Sequence, residues 1–217
     1  MRTFGFPEFL FILEAAKWTL ALSAIAFVGG AILGLIIALM RTSESTWARA
    51  VSTTFIQIFQ GTPLLLQLFL VFFGAPVLGL DINPWVAAGV ALILNSAAFL
   101  GEIWRGCIEA IPRGQWEAAE ALSLKYTSRM RDVVLPQALK IALAPTVGYV
   151  VQIIKGTSLA AIIGFVEVTR AGQIVNNATF QPLIVFSVVA AIYFVICWPL
   201  SLLAARMERK RARALAR

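Results

Sequence analysis

Between Trp18 and Met40 the chain runs for twenty-three residues without one Asp, Glu, Lys or Arg. As a helix rising about 1.5 Å per residue, that run crosses a hydrocarbon core of roughly 30 Å. A bilayer offers no water to stray backbone groups, so a span must satisfy its own hydrogen bonds, and a single run of this length does so only as a helix. The whole chain agrees: 60% of its 217 residues are hydrophobic and 13% are charged, which lies outside the soluble globular range.

Four further runs follow the same logic and predict an all-α membrane protein with five transmembrane helices. Val51 to Phe73 carries Gln57, Gln60, Gly61-Thr62-Pro63 and Gln67. Gly-Thr-Pro interrupts helical hydrogen bonding, which a membrane tolerates only against protein or a water-filled cavity. Trp85 to Trp104 holds Asn95 and Ser96 at mid-span and Glu102 near its end. Ile141 to Ile163 is interrupted by Lys155-Gly156-Thr157-Ser158, and Pro182 to Ala205 completes the set. Residues 18–205 are thus the transmembrane domain. Residues 1–17, with Pro7, Glu8, Glu14 and Lys17, read as an interfacial lead-in, and 206–217 as a basic tail. Glu167 to Gln181 is a polar connection. Gly30 and Gly34 stand at the spacing that lets a second helix approach closely, and glycines tolerated for local fit are an equal reading.

Charge sets the orientation. Fourteen Lys and Arg fall in residues 41–54, 105–140 and the tail, all on one side of a five-span chain, against three on the other. Cationic loops stay in the cytoplasm, so the N-terminus is expected outside and the C-terminus inside. The net charge of +7 is therefore a topology signal with a contribution from anionic lipid at the tail, not a nucleic-acid surface. No basic leader with a cleavage site is evident, so the first span is expected to serve as its own insertion signal. With two distant cysteines and no histidine, a disulfide framework, a metal centre and a Cys–His nucleophile are disfavoured.

One long polar segment stands apart, the cytoplasmic hairpin 112–138. It contains Glu117-Ala118-Ala119, a small residue at Ser123, then Leu135-Pro136. This layout resembles the EAA loop of ABC importer permeases. Gln60-Gly61-Thr62-Pro63-Leu64-Leu65, Asn95-Ser96-Ala97-Ala98-Phe99, Ile111-Pro112-Arg113-Gly114-Gln115 and Lys155-Gly156-Thr157-Ser158-Leu159 look like the polar amino-acid subfamily (His/Arg/Lys, Gln/Glu and opine type). The resemblance implies a type I importer permease fold in a bacterial cytoplasmic (inner) membrane. It further implies a second permease subunit, copy or homologue, two cytoplasmic ATPase subunits that bind the ATP and Mg, and an extracytoplasmic amino-acid-binding protein. Glu117, Ala118, Ala119, Ser123, Leu135 and Pro136 would then form the ATPase-coupling hairpin. Ser123 stands where the family usually has glycine, and a left-handed turn there costs serine more.

The chain itself has no phosphate-cradling Gly-x-x-x-x-Gly-Lys-Ser/Thr loop, so it is expected to be a transport subunit and not an enzyme. Polar residues inside spans are pathway candidates because desolvating them without a partner is costly. Lys155 with Thr157 and Ser158 could receive a substrate carboxylate, and Glu102 or Asn95 its ammonium; interhelical bonds or snorkelled charges are the plainer reading of each. Relatives often carry an acidic or amide residue where Gly156 stands, and its loss here argues against Arg or Lys as substrate. An ion- or proton-coupled transporter or channel is the alternative, disfavoured by the absence of an internal repeat and of histidine. A bare membrane anchor would not need polar residues at mid-span.

Overall fold

A computed structural model describes residues 3–215, which are helical almost throughout. The elements are α1 (Phe6–Thr42), α2 (Thr46–Gly61), α3 (Leu64–Val77), α4 (Pro84–Glu109), α5 (Arg113–Ala121), α6 (Tyr126–Ser128), α7 (Leu135–Gly156), α8 (Val168–Thr179) and α9 (Pro182–Leu215). A π-helical turn, Arg129–Val134, precedes α7, and a 3-10 segment, Thr157–Ile163, follows it. Among the described residues four stretches are long and apolar enough to cross a membrane, and the bent pair α2–α3, counted as one span, brings the number to five.

Within the described part of the lead-in, α1 begins at Phe6 and runs unbroken into the first span. Pro7 fits a first helical turn, where its missing N–H costs nothing. The Glu8 carboxylate accepts from the Gly5 N–H at 3.1 Å. Ile12 and Ala15 are then buried against Val168, Ala171, Val185 and Val189, which anchors the extension to α8 and α9. Likewise α4 continues past Trp104 to Glu109, and α9 runs past Ala205 to Leu215, so the boundary at residue 206 is one of chemistry and not of conformation.

α4 is the most buried of the spans, and α1 packs along it through small residues. A Cβ added at Gly30 would lie 2.5 Å from Ser96 Cβ, and one at Gly34 would lie 3.1 Å from the Ala97 carbonyl oxygen and the Gly101 nitrogen. This is the close approach expected of small-xxx-small faces. The polar connection after the fourth span hides a further element. α8 is an amphipathic helix whose first turn is capped by Glu167, which accepts from the Thr169 and Arg170 amides at 2.9 and 2.8 Å. The Glu167 side chain is fully buried and also accepts from the Tyr193 hydroxyl at 2.6 Å, tying α8 to α9. Burial pushes its carboxyl above the usual range, and these three donors pull the other way.

Gly30→Leu is expected to cost about 1–3 kcal/mol through overpacking against Ser96. Gly106→Ala, at an exposed helical position with open space around it, should stabilise by up to about 1 kcal/mol. Thermal unfolding of the purified proteins in one detergent compares the two directly.

Candidate functional site: a polar cavity and an exposed hairpin

The break between α2 and α3 bends the chain by 101°. Pro63 has no N–H, so the helical bond it would give to the Phe59 carbonyl cannot form. The Gln67 side-chain amide fills that place, donating to the Phe59 oxygen at 2.8 Å and to the Thr62 carbonyl and hydroxyl oxygens at 3.0 and 2.9 Å. Its own oxygen accepts from the Asn95 amide at 3.1 Å, and the Asn95 oxygen accepts from the Tyr149 hydroxyl at 3.4 Å. A chain of hydrogen bonds therefore links α3, α4 and α7 at the bend.

This chain borders a cavity of about 310 Å³ lined by Thr62, Leu64, Leu92, Asn95, Ser96, Phe99, Tyr149, Gln152, Ile153 and Gly156. The size suits a small molecule. Its polar groups are amides and hydroxyls, with no charged side chain in the lining. Phe99 stacks on Tyr149 with centroids 5.4 Å apart, giving one wall an aromatic face.

Of the five pathway candidates only Asn95 lines this cavity. Glu102 is held instead in an i,i+3 ion pair with Arg105, at 2.9 and 2.5 Å, and Arg105 also bonds Glu109. Lys155 is exposed on the α9 side of α7, in a separate groove with Tyr193, Phe194, Cys197 and Trp198. The Thr157 and Ser158 hydroxyls turn back onto the Ile154 and Lys155 carbonyls, both at 2.7 Å, at the tightening from α7 into the 3-10 segment. The donor cluster for a carboxylate is thus not assembled. Gly156, whose Cβ would meet Leu64 at 3.2 Å, is the member of that motif that reaches the cavity. Tyr149 and Gln152 were not among the candidates; a polar residue one turn before Lys155 was the signal that could have found Gln152.

The hairpin folds as a helix, a turn and a second arm, but that arm is not a free helix. α6 and the π turn lead directly into α7, so residues 126–163 form one long rod. Pro136 cannot donate to the Asp132 carbonyl in α-helical register, and the preceding turn widens to π geometry. The Gln137 side chain supplies a donor to the Val133 carbonyl at 2.9 Å and reaches Gln115 across the hairpin at 3.1 Å. The turn after α5 places Ser123 at φ 56°, in the left-handed region. The Leu124 N–H bonds the Ala119 carbonyl at 3.2 Å and the Ser123 N–H bonds that of Glu120 at 2.8 Å, the two bonds of a Schellman cap.

Glu117, Ala118, Leu122 and Ser123 are exposed, whereas Ala119 is buried. Leu135 lies at the root of the hairpin against Ile108, Ile111, Met130 and Val134, and exposed Pro136 lies beside it, away from the tip. The Tyr126 hydroxyl bonds the Thr42 carbonyl at 3.1 Å, fixing the hairpin to the end of α1. One face therefore combines an exposed carboxylate, small residues and an exposed leucine, held on a buried apolar base.

Gln67→Leu is expected to lower stability by about 1–3 kcal/mol, because the Phe59 and Thr62 oxygens lose their donor inside the fold. Ser123→Val, a β-branched residue forced to positive φ, should cost about 1–2 kcal/mol while Ser123→Gly does not. Thermal unfolding in detergent reads both.

Three comparisons bear on these features. The family model for the inner membrane component of binding-protein-dependent transport systems matches residues 30–213. The glutamine transport system permease protein GlnP of Escherichia coli (strain K12) is 36% identical over 206 residues, 94% of each chain. A probable amino-acid ABC transporter permease protein, YckA, of Bacillus subtilis (strain 168) is 34% identical over 205 residues, covering 94% of this chain and 91% of its own. Among solved structures, that of an amino acid ABC transporter with histidines superposes with a TM-score of 0.87 at 33% identity, over 96% of this chain and 100% of the other. The inward-facing MetNI methionine ABC transporter shares the fold, with a TM-score of 0.79 at 19% identity over 95% and 99%. The bent second span and the exposed hairpin thus sit in a known architecture, and the chain belongs to the family of inner membrane components of binding-protein-dependent transport systems.

Proposed function

We propose that the chain is the permease subunit of an ATP-driven importer for a polar, uncharged amino acid, with the cavity at the α2–α3 bend as part of the substrate path. The carrying observation is the lining of that cavity: Thr62, Asn95, Ser96, Tyr149 and Gln152 offer hydroxyls and amides and no charge. Such a wall can exchange hydrogen bonds with a side-chain amide or hydroxyl. The α-ammonium and α-carboxylate of an amino acid offset one another, but the net charge of a guanidinium, ammonium or carboxylate side chain would find no counter-charge in this lining. The glutamine permeases among the relatives support the same reading.

The hairpin is the docking element for a cytoplasmic ATPase subunit. Support comes from the exposure of Glu117, Ala118 and Leu122 over a packed base, and from the cationic loops on the same side. The N-terminus then lies outside, where an amino-acid-binding protein delivers substrate, and the C-terminus inside. ATP and Mg are bound and hydrolysed by the partner. A second permease, identical or homologous, completes the pathway, and the exposed Lys155 groove lies outside the cavity described here.

Uptake of radiolabelled glutamine by membrane vesicles holding the whole transporter tests the cavity. Gln152→Ala is expected to raise KM about tenfold, the loss of one hydrogen bond to substrate, with Lys155→Ala close to wild type. Equal KM for Gln152→Ala and wild type, or saturable uptake of arginine but not glutamine, would overturn the assignment. A pull-down in mild detergent tests the hairpin: wild type should bring down an ATPase subunit and Glu117→Lys should lose it, with both permeases eluting at the same volume.

A further inference from the structure

The helix α9 does not end where the membrane does. Arg206 follows Pro182 by twenty-four residues, about 36 Å along the axis, just beyond a hydrocarbon core of roughly 30 Å. From there Arg206, Arg209, Lys210 and Arg213 recur at i, i+3, i+4 and i+7, on one helical stripe about 100° wide. All four are exposed, and among the described residues none forms an ion pair. Glu208 falls on the far side of the helix, where it does not neutralise the stripe.

The same side of α9 above the stripe is apolar and uncovered: Val195, Trp198 and Leu203 are 68, 52 and 46% exposed. The helix thus presents a continuous track, hydrocarbon-facing first and cationic where the hydrocarbon ends. We propose that this track holds anionic phospholipid of the cytoplasmic leaflet, with acyl chains along Val195, Trp198 and Leu203 and the phosphate against Arg206, Arg209, Lys210 and Arg213. The arginines can meet a phosphate through two parallel N–H donors, and Lys210 adds a point charge. A soluble protein would meet the cations alone, since the apolar part of the track lies at membrane depth. The inference rests on the cytoplasmic placement of the C-terminus.

The test uses the transporter purified with its ATPase subunit and placed in nanodiscs of phosphatidylcholine containing phosphatidylglycerol. Bound phosphatidylglycerol is counted by native mass spectrometry after release into detergent, for wild type, Arg209→Gln and the fourfold variant R206Q/R209Q/K210Q/R213Q. Each neutralised cation should weaken retention about fivefold, and added salt should weaken wild type most. Equal retention in wild type and the fourfold variant, with both complexes intact, overturns the proposal. Loss of the ATPase subunit from the variant with lipid retention unchanged overturns it too, and assigns the stripe to that subunit. In parallel, an impermeant thiol reagent is applied to an Arg213→Cys variant in spheroplasts and in inverted vesicles. Labelling from outside sinks the orientation together with this inference, whereas labelling only from inside with equal lipid retention sinks this inference alone.

Discussion

A membrane span that breaks must find new donors for the carbonyls it frees, and in this chain one side chain supplies them. Pro63 deprives the Phe59 carbonyl of its helical partner, and the Gln67 amide takes over that role while also holding Thr62. Because the Gln67 oxygen is then turned to Asn95, and Asn95 to Tyr149, the repair of a backbone defect spreads into a polar network across three helices. The cavity follows from that arrangement. A straight, fully bonded second span would carry its apolar side chains into the space that the bend leaves open. The glycine at position 156 keeps the opposite wall thin at the same level, with the Leu64 side chain within 3.2 Å of where a Cβ would stand.

At the other end of the molecule the same kind of accounting shapes the hairpin. Its turn is closed by two backbone bonds that require a left-handed residue, and Ser123 accepts that conformation. Its second arm meets a proline at the start of α7 and widens into a π turn to absorb the missing donor. The exposed face at the tip is small because its support is internal: Ile108, Ile111, Met130 and Val134 are buried beneath it, and Tyr126 is bonded to the end of α1.

Much of this was legible from residue order. The uncharged run from Trp18, the Gly-Thr-Pro break, the Gly30 and Gly34 face and the turn at Ser123 each impose a local physical requirement, and the structure meets each of them. What was not legible depended on partners distant in sequence. Glu8, Glu14 and Lys17 suggest an interface but do not show that Ile12 and Ala15 between them find buried neighbours on α8 and α9. Glu167 looks like part of a solvated connection, and it is buried because Tyr193, twenty-six residues on, reaches its carboxylate. Glu102 looks available to a ligand until Arg105 is seen to occupy it. The Lys155 motif drew attention by its charge, whereas the cavity is lined by its uncharged neighbours Gln152 and Gly156.

The rod from Tyr126 to Ile163 carries Leu135 at the root of the hairpin and Tyr149 and Gln152 at the cavity. Fourteen residues separate Leu135 from Tyr149, about 21 Å along the axis. No loop intervenes to dissipate a displacement. A shift or twist imposed on the hairpin therefore reaches the cavity wall as motion of one solid piece, unless the rod yields. It can yield where its ladder of bonds is already incomplete: the π turn, Pro136 and Pro145. These positions set the stiffness of the transmission between the two sites, and so decide how much of a movement at one end becomes a change of shape at the other.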